Sequence, residues 1–267
     1  MENKPDYHVV SFSGGKDSTA MLLRMLEDGK EVDEILFCDT GLEFPQMCEH
    51  IQKVEQDIGR QIKVVKSDYS FEFLFLEKEI NRRKDTPSCH KGYSWAGPLS
   101  RWCTEHLKNG PRERYLRELR KKYNVIQYVG IAADETRRIN RPNNQRADVR
   151  LPLVEWNMSE ADCLAYCYAK GYDWGGLYEK FRRVSCWCCP LQPLEELRIL
   201  YKNFPEFWEQ LKAWDDKTWR NFRPNGWSVR KLEKRFEFEA KWVLDGKPLR
   251  SKEFYEAMRK RITAGDI

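Results

Sequence analysis

Between Ser11 and Thr19 the chain runs Ser-Phe-Ser-Gly-Gly-Lys-Asp-Ser-Thr, residue types that together suit the handling of a polyphosphate. Adjacent Gly14 and Gly15 leave backbone N–H groups uncovered by side chains. Lys16 brings a mobile cation, and Ser13, Ser18 and Thr19 bring short hydroxyls for phosphate oxygens or for helix capping. A Walker A loop is excluded, because that motif separates its glycines by four residues and follows lysine with Ser or Thr, whereas Asp17 follows Lys16 here. A second centre of chemistry lies at Cys186-Trp187-Cys188-Cys189-Pro190. Consecutive side chains cannot all face one apolar layer, so three thiols in four residues before a proline fit a metal loop better than core packing. Zinc or an iron–sulfur cluster takes four ligands, commonly thiolates, and Cys186 and Cys189 have the CxxC spacing that supplies two of them.

The elements that must position these groups can be read from periodicity. Val9, Val10 and Phe12 form a short buried strand that stops at Gly14. Met21, Leu22, Met25 and Leu26 then follow a helical repeat that ends by Gly29. A strand ending in small residues at a helix start exposes N–H groups where the helix dipole is positive, which makes an anion cradle. A second strand, residues 32–38, carries Asp39-Thr40-Gly41 at its carboxyl end. Ligands bind beyond the carboxyl ends of open parallel sheets, so Asp39 is expected beside the glycine turn, facing ribose hydroxyls or an adenine amine; a simple Asx turn is the alternative. A helix from Pro45 to Ile58 closed by Gly59, a strand over 62–65 and a helix over 71–80 complete a βαβαβα alternation. The expected fold is therefore α/β, a parallel sheet with helices on both faces.

Residues 81–100 break this rhythm and read as a functional loop. A charged helix over 112–123 and a strand over 125–131 follow. Ser159 caps a helix with Asp162 three positions on, and that helix carries Cys163 and Cys167 one turn apart as buried hydrophobes. From residue 194 the reading is helical over 194–201, 205–214, 229–244 and 251–262, with tryptophans that pack the helices together. Two regions are expected: residues 1–190, holding the glycine loop and the cysteine cluster, and a helical extension over 191–267.

Charged residues make up 33% of the 267 and aromatics 13%, the composition of an ordered domain with a highly charged surface. Nine cysteines without an export signal favour metal binding, redox work or burial over a disulfide framework. There is no apolar run of membrane-spanning length and no signal-peptide pattern at Met1, so a cytoplasmic protein without a membrane partner is expected. Residues 101–150 hold 13 Lys and Arg against 6 Asp and Glu, a basic balance that suits a polyphosphate or nucleic-acid partner, although the 112–122 stretch alone reads as a solvated helix face.

The string Ser-Phe-Ser-Gly-Gly-Lys-Asp-Ser resembles the PP-loop of the adenine nucleotide α-hydrolase-like superfamily. The continuation of Asp39-Thr40-Gly41 into Leu42-Glu43-Phe44-Pro45 resembles the PAPS (3′-phosphoadenylyl sulfate) reductase family within it. The resemblance runs over about residues 7–190. It implies that Lys16 and Asp17 act in catalysis and that Ser11, Ser13, Gly14, Gly15, Ser18, Thr19, Asp39, Thr40 and Gly41 bind an adenine nucleotide. Two weaker segments match as well. In residues 100–108, Arg101, Cys103 and Lys108 fall on the family pattern, with Arg101 and Lys108 as catalytic candidates. In residues 130–138, Gly130, Glu135, Arg137 and Arg138 match, but Ala132 stands where the family has an arginine, which removes an expected contact to a sulfate or phosphate group. The cysteine loop looks like that of relatives with a C-terminal cysteine cluster. This implies Cys103, Cys186, Cys188 and Cys189 as metal ligands, with Cys89 the alternative for the fourth position.

Three functions follow as expectations. The first is an ATP-dependent enzyme with Mg²⁺ in which an acceptor attacks the α-phosphorus, pyrophosphate leaves, and a sulfur donor or thiol protein completes sulfur transfer; a [4Fe–4S] cluster, or zinc in its place, sits nearby. The second is reduction of PAPS or adenylyl sulfate. It lacks the family's usual nucleophile, because no cysteine follows Cys189 in this sequence. The third is a nucleotide-sensing or nucleic-acid-associated module with a structural metal.

Overall fold

A computed structural model describes residues 4–80, 90–184 and 186–267. They divide into two compact units, one of residues 1–71 and 102–187, the other of residues 72–101 and 188–267. The division differs from a single boundary at 190: residues 72–101 group with the C-terminal helices, and the cysteine stretch is split after Trp187.

The first unit is built on a five-stranded parallel sheet in the order β3-β2-β1-β4-β5. The strands are β1 Asp6–Phe12, β2 Glu34–Asp39, β3 Ile62–Lys66, β4 Asn124–Val129 and β5 Val149–Arg150. Val10 of β1 stands opposite Ile35 of β2 on one side and Tyr128 of β4 on the other. The alternation of strand and helix dictates this architecture, because parallel neighbours require crossovers that cover the faces. Helices α1 Lys16–Glu27 and α2 Pro45–Ile58 take the chain from β1 through β2 to β3, after which it returns to place β4 on the opposite side of β1. The topological switch therefore lies between the carboxyl ends of β1 and β4, where open α/β sheets hold ligands. Helix α3 Gly110–Lys122 lays Leu116 on Val9, Leu36 and Val125, all nearly or fully buried. Its charges pair among themselves and with neighbours, Lys121 with Glu118 and Arg120 with Glu113 and Asp148, as a solvated face does. Helix α4 Glu160–Ala169 starts at the Ser159 and Asp162 capping box and fully buries Cys163 and Cys167.

In the second unit the helix expected over 71–80 is reduced to a π-helical turn, Phe73–Glu77. The cause is competition for its carbonyls: Leu74, Phe75 and Lys78 accept hydrogen bonds from the amides of Tyr93, Ser94 and Gly92. A β-carbon on Gly92 would lie 2.1 Å from the Phe75 carbonyl oxygen, so only glycine permits this approach. The stretch expected to be a functional loop is described from residue 90 onward. There it anchors the core of this unit: Trp95 is 1% exposed, donates to Asp215 at 2.8 Å, and meets Phe75 and Phe222 edge or tilted. Helices α5 Leu194–Asn203, α6 Pro205–Lys217, α7 Val229–Leu244 and α8 Lys252–Thr263 follow, with Trp208 and Trp214 buried between them. No helix among the described residues is long and apolar enough to cross a membrane.

Candidate functional site

The glycine loop leaves β1 at Ser13 and enters α1 at Lys16. Gly14 has φ +75°, and a β-carbon there would meet the Met47 sulfur at 2.7 Å, so glycine is required on both counts. Gly15 caps α1 without a side-chain bond of its own; the Lys16 amide donates to the Tyr178 hydroxyl, and the Asp17 and Ser18 amides after it are directed out of the helix. Ser18 staples the loop: its hydroxyl accepts from the Ser13 amide at 3.1 Å, donates to the Gly15 carbonyl at 3.0 Å, and sits 3.0 Å from the Ser13 hydroxyl. Thr19 lies underneath, 3.0 Å from Nε2 of His50. His50 is buried and stacked on Trp174, and burial depresses its pKa to about 4, so it serves as a neutral scaffold. Trp174 donates its indole N–H to the Gly14 carbonyl at 2.7 Å. To reach it the chain bends through three consecutive left-handed residues, Trp174, Gly175 and Gly176, a conformation that is costly for a tryptophan.

Lys16 is not the mobile cation its sequence suggests. It is 6% exposed, with Nζ 2.9 Å from Asp17 and 3.7 Å from Glu160. Carboxylate oxygens of Asp17, Glu135 and Glu160 all lie within 4.8 Å of one another. Burial raises the Asp17 pKa although Lys16 opposes the shift. At Glu135 burial also disfavours the charge, but Arg138 at 2.5 Å and Arg183 at 2.7 Å outweigh it and hold the carboxyl below its ordinary value. Arg183 also reaches Glu160 at 2.9 Å. Ala132, where the resemblance called for arginine, is fully buried. A guanidinium is thus present at this carboxylate group, supplied by Arg183 and Arg138, while Arg137 is exposed. Gly130, directly after β4, lies against the first turn of α1; a β-carbon there would fall 2.8 Å from the Ser18 α-carbon.

At the end of β2, Asp39 accepts from the Gly41 amide at 2.8 Å and pairs with Lys66 at 2.7 Å, so its carboxylate closes an Asx turn. Glu43 organises the rest of the turn, accepting from the Thr40 hydroxyl at 2.7 Å and from the amides of Thr40 and Leu42. The cysteine loop begins here, with the Cys186 sulfur 4.0 Å from the Thr40 hydroxyl and the Trp187 amide bonded to the Leu42 carbonyl. A π-helical turn, Glu105–Asn109, presents Lys108, whose Nζ is 4.0 Å from Glu43. The charge of Cys186, and then those of Glu43, Cys38 and Cys103, raise the Lys108 pKa against its burial. Burial raises the pKa of the Cys103 thiol, with Cys186 adding to the shift. The Cys38 sulfur lies 3.7 Å from the Lys108 carbonyl oxygen.

Cys188 and Cys189 belong to the second unit, as does Arg101, which is exposed. Cys188 is buried, and Arg223 binds the loop behind it by donating to the Pro190 carbonyl at 2.8 Å and the Gln192 carbonyl at 2.5 Å. Cys89 lies outside the described residues. Ser11 sits on β1 with a buried hydroxyl that has no hydrogen-bond partner among the described residues. Sequence reasoning missed Cys38, Glu43, His50, Glu160, Trp174, Tyr178 and Arg183. Of these only Cys38 and Glu43 carried a local signal, as neighbours of Asp39-Thr40-Gly41.

The family model described as the phosphoadenosine phosphosulfate reductase domain matches residues 7–192. An uncharacterized protein of Methanocaldococcus jannaschii is 30% identical over 211 residues, a match covering 76% of this chain and 40% of that protein; the chain thus spans less than half of that relative's length. Among solved structures, a phosphoadenylyl-sulfate (PAPS) reductase from Candida auris in a phosphate complex aligns at 18% identity and TM-score 0.45, covering 70% of this chain and 83% of its own. A U34-tRNA thiolase from Methanococcus maripaludis with its [4Fe-4S] cluster aligns at 14% identity and TM-score 0.37, covering 94% and 76%.

Proposed function

The chain belongs to the phosphoadenosine phosphosulfate reductase domain family, and on that premise we propose that it binds ATP at the Ser13–Ser18 loop and transfers its adenylyl group, in the service of sulfur transfer. The observation that carries this reading is a helix-start loop at the β1/β4 switch point whose cap residue is a glycine, set beside a buried lysine and three clustered carboxylates. In the proposed reaction the first-turn amides of α1 and Lys16 hold the pyrophosphate. An acceptor oxygen bonds to the α-phosphorus, the bond from that phosphorus to the pyrophosphate oxygen breaks, and pyrophosphate leaves. A sulfide donor then displaces AMP: its sulfur bonds to the acceptor atom that carries the adenylated oxygen, and the bond from that atom to the oxygen breaks.

The donor set fits a divalent cation, since Asp17, Glu135 and Glu160 bring three carboxylates together. Bound Mg²⁺ would offset charge on the leaving pyrophosphate. Cys103 and Cys186 would supply thiolates to a cluster or zinc, and the Lys108 ammonium suits a group made anionic by them. Such a group would bind and polarise sulfur. The reductase reading of the same loop loses the arginine that the resemblance places at Ala132, although Arg138 and Arg183 bring guanidinium groups to Glu135. Product analysis tests the proposal. ATP with a competent acceptor should yield AMP and pyrophosphate; ADP as the main product refutes adenylyl transfer, and sulfite released from PAPS supports reduction instead.

A further inference from the structure

The backbone amide of Lys16 is the first helical N–H of α1, the group that an anion in the cradle would be expected to meet. A protein atom already lies there: the Tyr178 hydroxyl accepts from that amide at 2.9 Å. Gly15 gives an independent sign that the approach is built in. Its φ of −75° is open to any residue, yet a β-carbon on it would come 3.3 Å from the Tyr178 hydroxyl, tighter than ordinary contact. The absent side chain at Gly15 makes room for the phenol. The ring is held as well, since it packs edge-on against Trp174 at 4.8 Å between centroids, and Trp174 is itself 1% exposed and bonded to the Gly14 carbonyl. The segment Trp174–Tyr178 thus grips the loop on both sides, one residue donating to Gly14 and the other accepting from Lys16.

We propose that Tyr178 is a phosphate-binding residue of this site, whose hydroxyl accepts from the Lys16 amide and donates its own proton to a phosphoryl oxygen of the bound nucleotide. This rests on the reading of the loop as a nucleotide cradle. A phenol that accepts from a helix-start amide becomes a stronger donor, because hydrogen bonds in series polarise one another. A ring fixed by Trp174 does not swing aside for the phosphate, so the phosphate meets the hydroxyl as a neighbour. Burial, with the charges of Asp17 and Glu160 adding to it, raises the Tyr178 pKa against the pull of the Lys16 amide, so the phenol keeps the proton it has to give.

The test compares the parent chain with Tyr178→Phe, which keeps the ring and removes only the hydroxyl, in equilibrium titrations with ATP, inorganic pyrophosphate and adenosine. Loss of one hydrogen bond to a charged oxygen should weaken ATP and pyrophosphate binding about tenfold while leaving adenosine unchanged. A merely structural tyrosine would not separate these three probes. In the ligand-free proteins the Lys16 amide should exchange faster in Tyr178→Phe, and also in Gly15→Ala, where the added methyl displaces the hydroxyl. Equal or tighter ATP and pyrophosphate binding by a folded Tyr178→Phe protein overturns the proposal while the nucleotide reading stands. A parent that binds neither ATP nor pyrophosphate refutes both.

Discussion

Gly130→Ala should damage the site from outside the loop. Gly130 follows β4, and a β-carbon there would lie 2.8 Å from the Ser18 α-carbon, 2.9 Å from the Ser18 nitrogen and 3.1 Å from the Asp17 carbonyl carbon. Ordinary carbon contacts begin near 3.4 Å, so β4 and the start of α1 must separate by roughly half an ångström, and every atom in the way is backbone that no rotamer change can move. Overpacking of this kind costs about 1–3 kcal/mol. The same shift moves the Asp17 and Ser18 amides, and hydrogen bonds to charged groups are worth about 1.5–3 kcal/mol each, so ATP affinity should fall tenfold or more. The assay pairs denaturant unfolding with ATP titration, using Gly29→Ala as control. Gly29, unlike Gly130, has a positive φ, and among the described residues no atom lies within 4 Å of its would-be β-carbon, so it should lose stability through backbone strain without losing affinity. A Gly130→Ala protein that matches the parent in both measurements would refute the claim that this close approach sets the cradle.

Acidification should reach the loop through His50. The unfolded chain protonates this histidine near its ordinary pKa of 6.5 and the folded chain only near about 4, so the unfolded state binds more protons between those values and stability falls as pH drops through that window. The loss is about 3 kcal/mol at most, and unfolding midpoints from pH 7 to pH 4.5 in the parent and in His50→Phe should show it only in the parent. Cys103→Ser and Cys186→Ser should each lower the iron or zinc retained by anaerobically purified protein, while Cys163→Ser should not. Cys163 is fully buried, and burial pushes its thiol up to about 12, unsuited to a thiolate ligand. Full metal content in Cys103→Ser would remove that residue from the site, and a metal-free parent would remove the metal.

Much of the fold was legible in the chain itself. Val9, Val10 and Phe12 before adjacent glycines, and Met21, Leu22 and Met25 after them, specify a buried strand, a turn and a helix through local periodicity alone; Gly59 and the Ser159 and Asp162 capping box mark helix ends for the same reason. The βαβ alternation then requires a parallel sheet, and the site falls at the carboxyl ends of its strands. Tertiary structure decided what no local pattern encodes. Phe73–Glu77 has helix-forming neighbours, yet it lost its helix to amides arriving from Gly92 to Ser94. Lys16 reads as a free cation until Glu160, far along the chain, closes on it. Tyr178, His50 and Trp174 lie 31 to 162 residues from the loop atoms they hold, so their spacing carries no periodic signal. Cys38 reached the Lys108 carbonyl only because β2 and the Glu105–Asn109 turn meet. Periodicity reports which face of an element is buried. The identity of the element across from it is a property of the chain's path through space, and in this protein that path assembles the site.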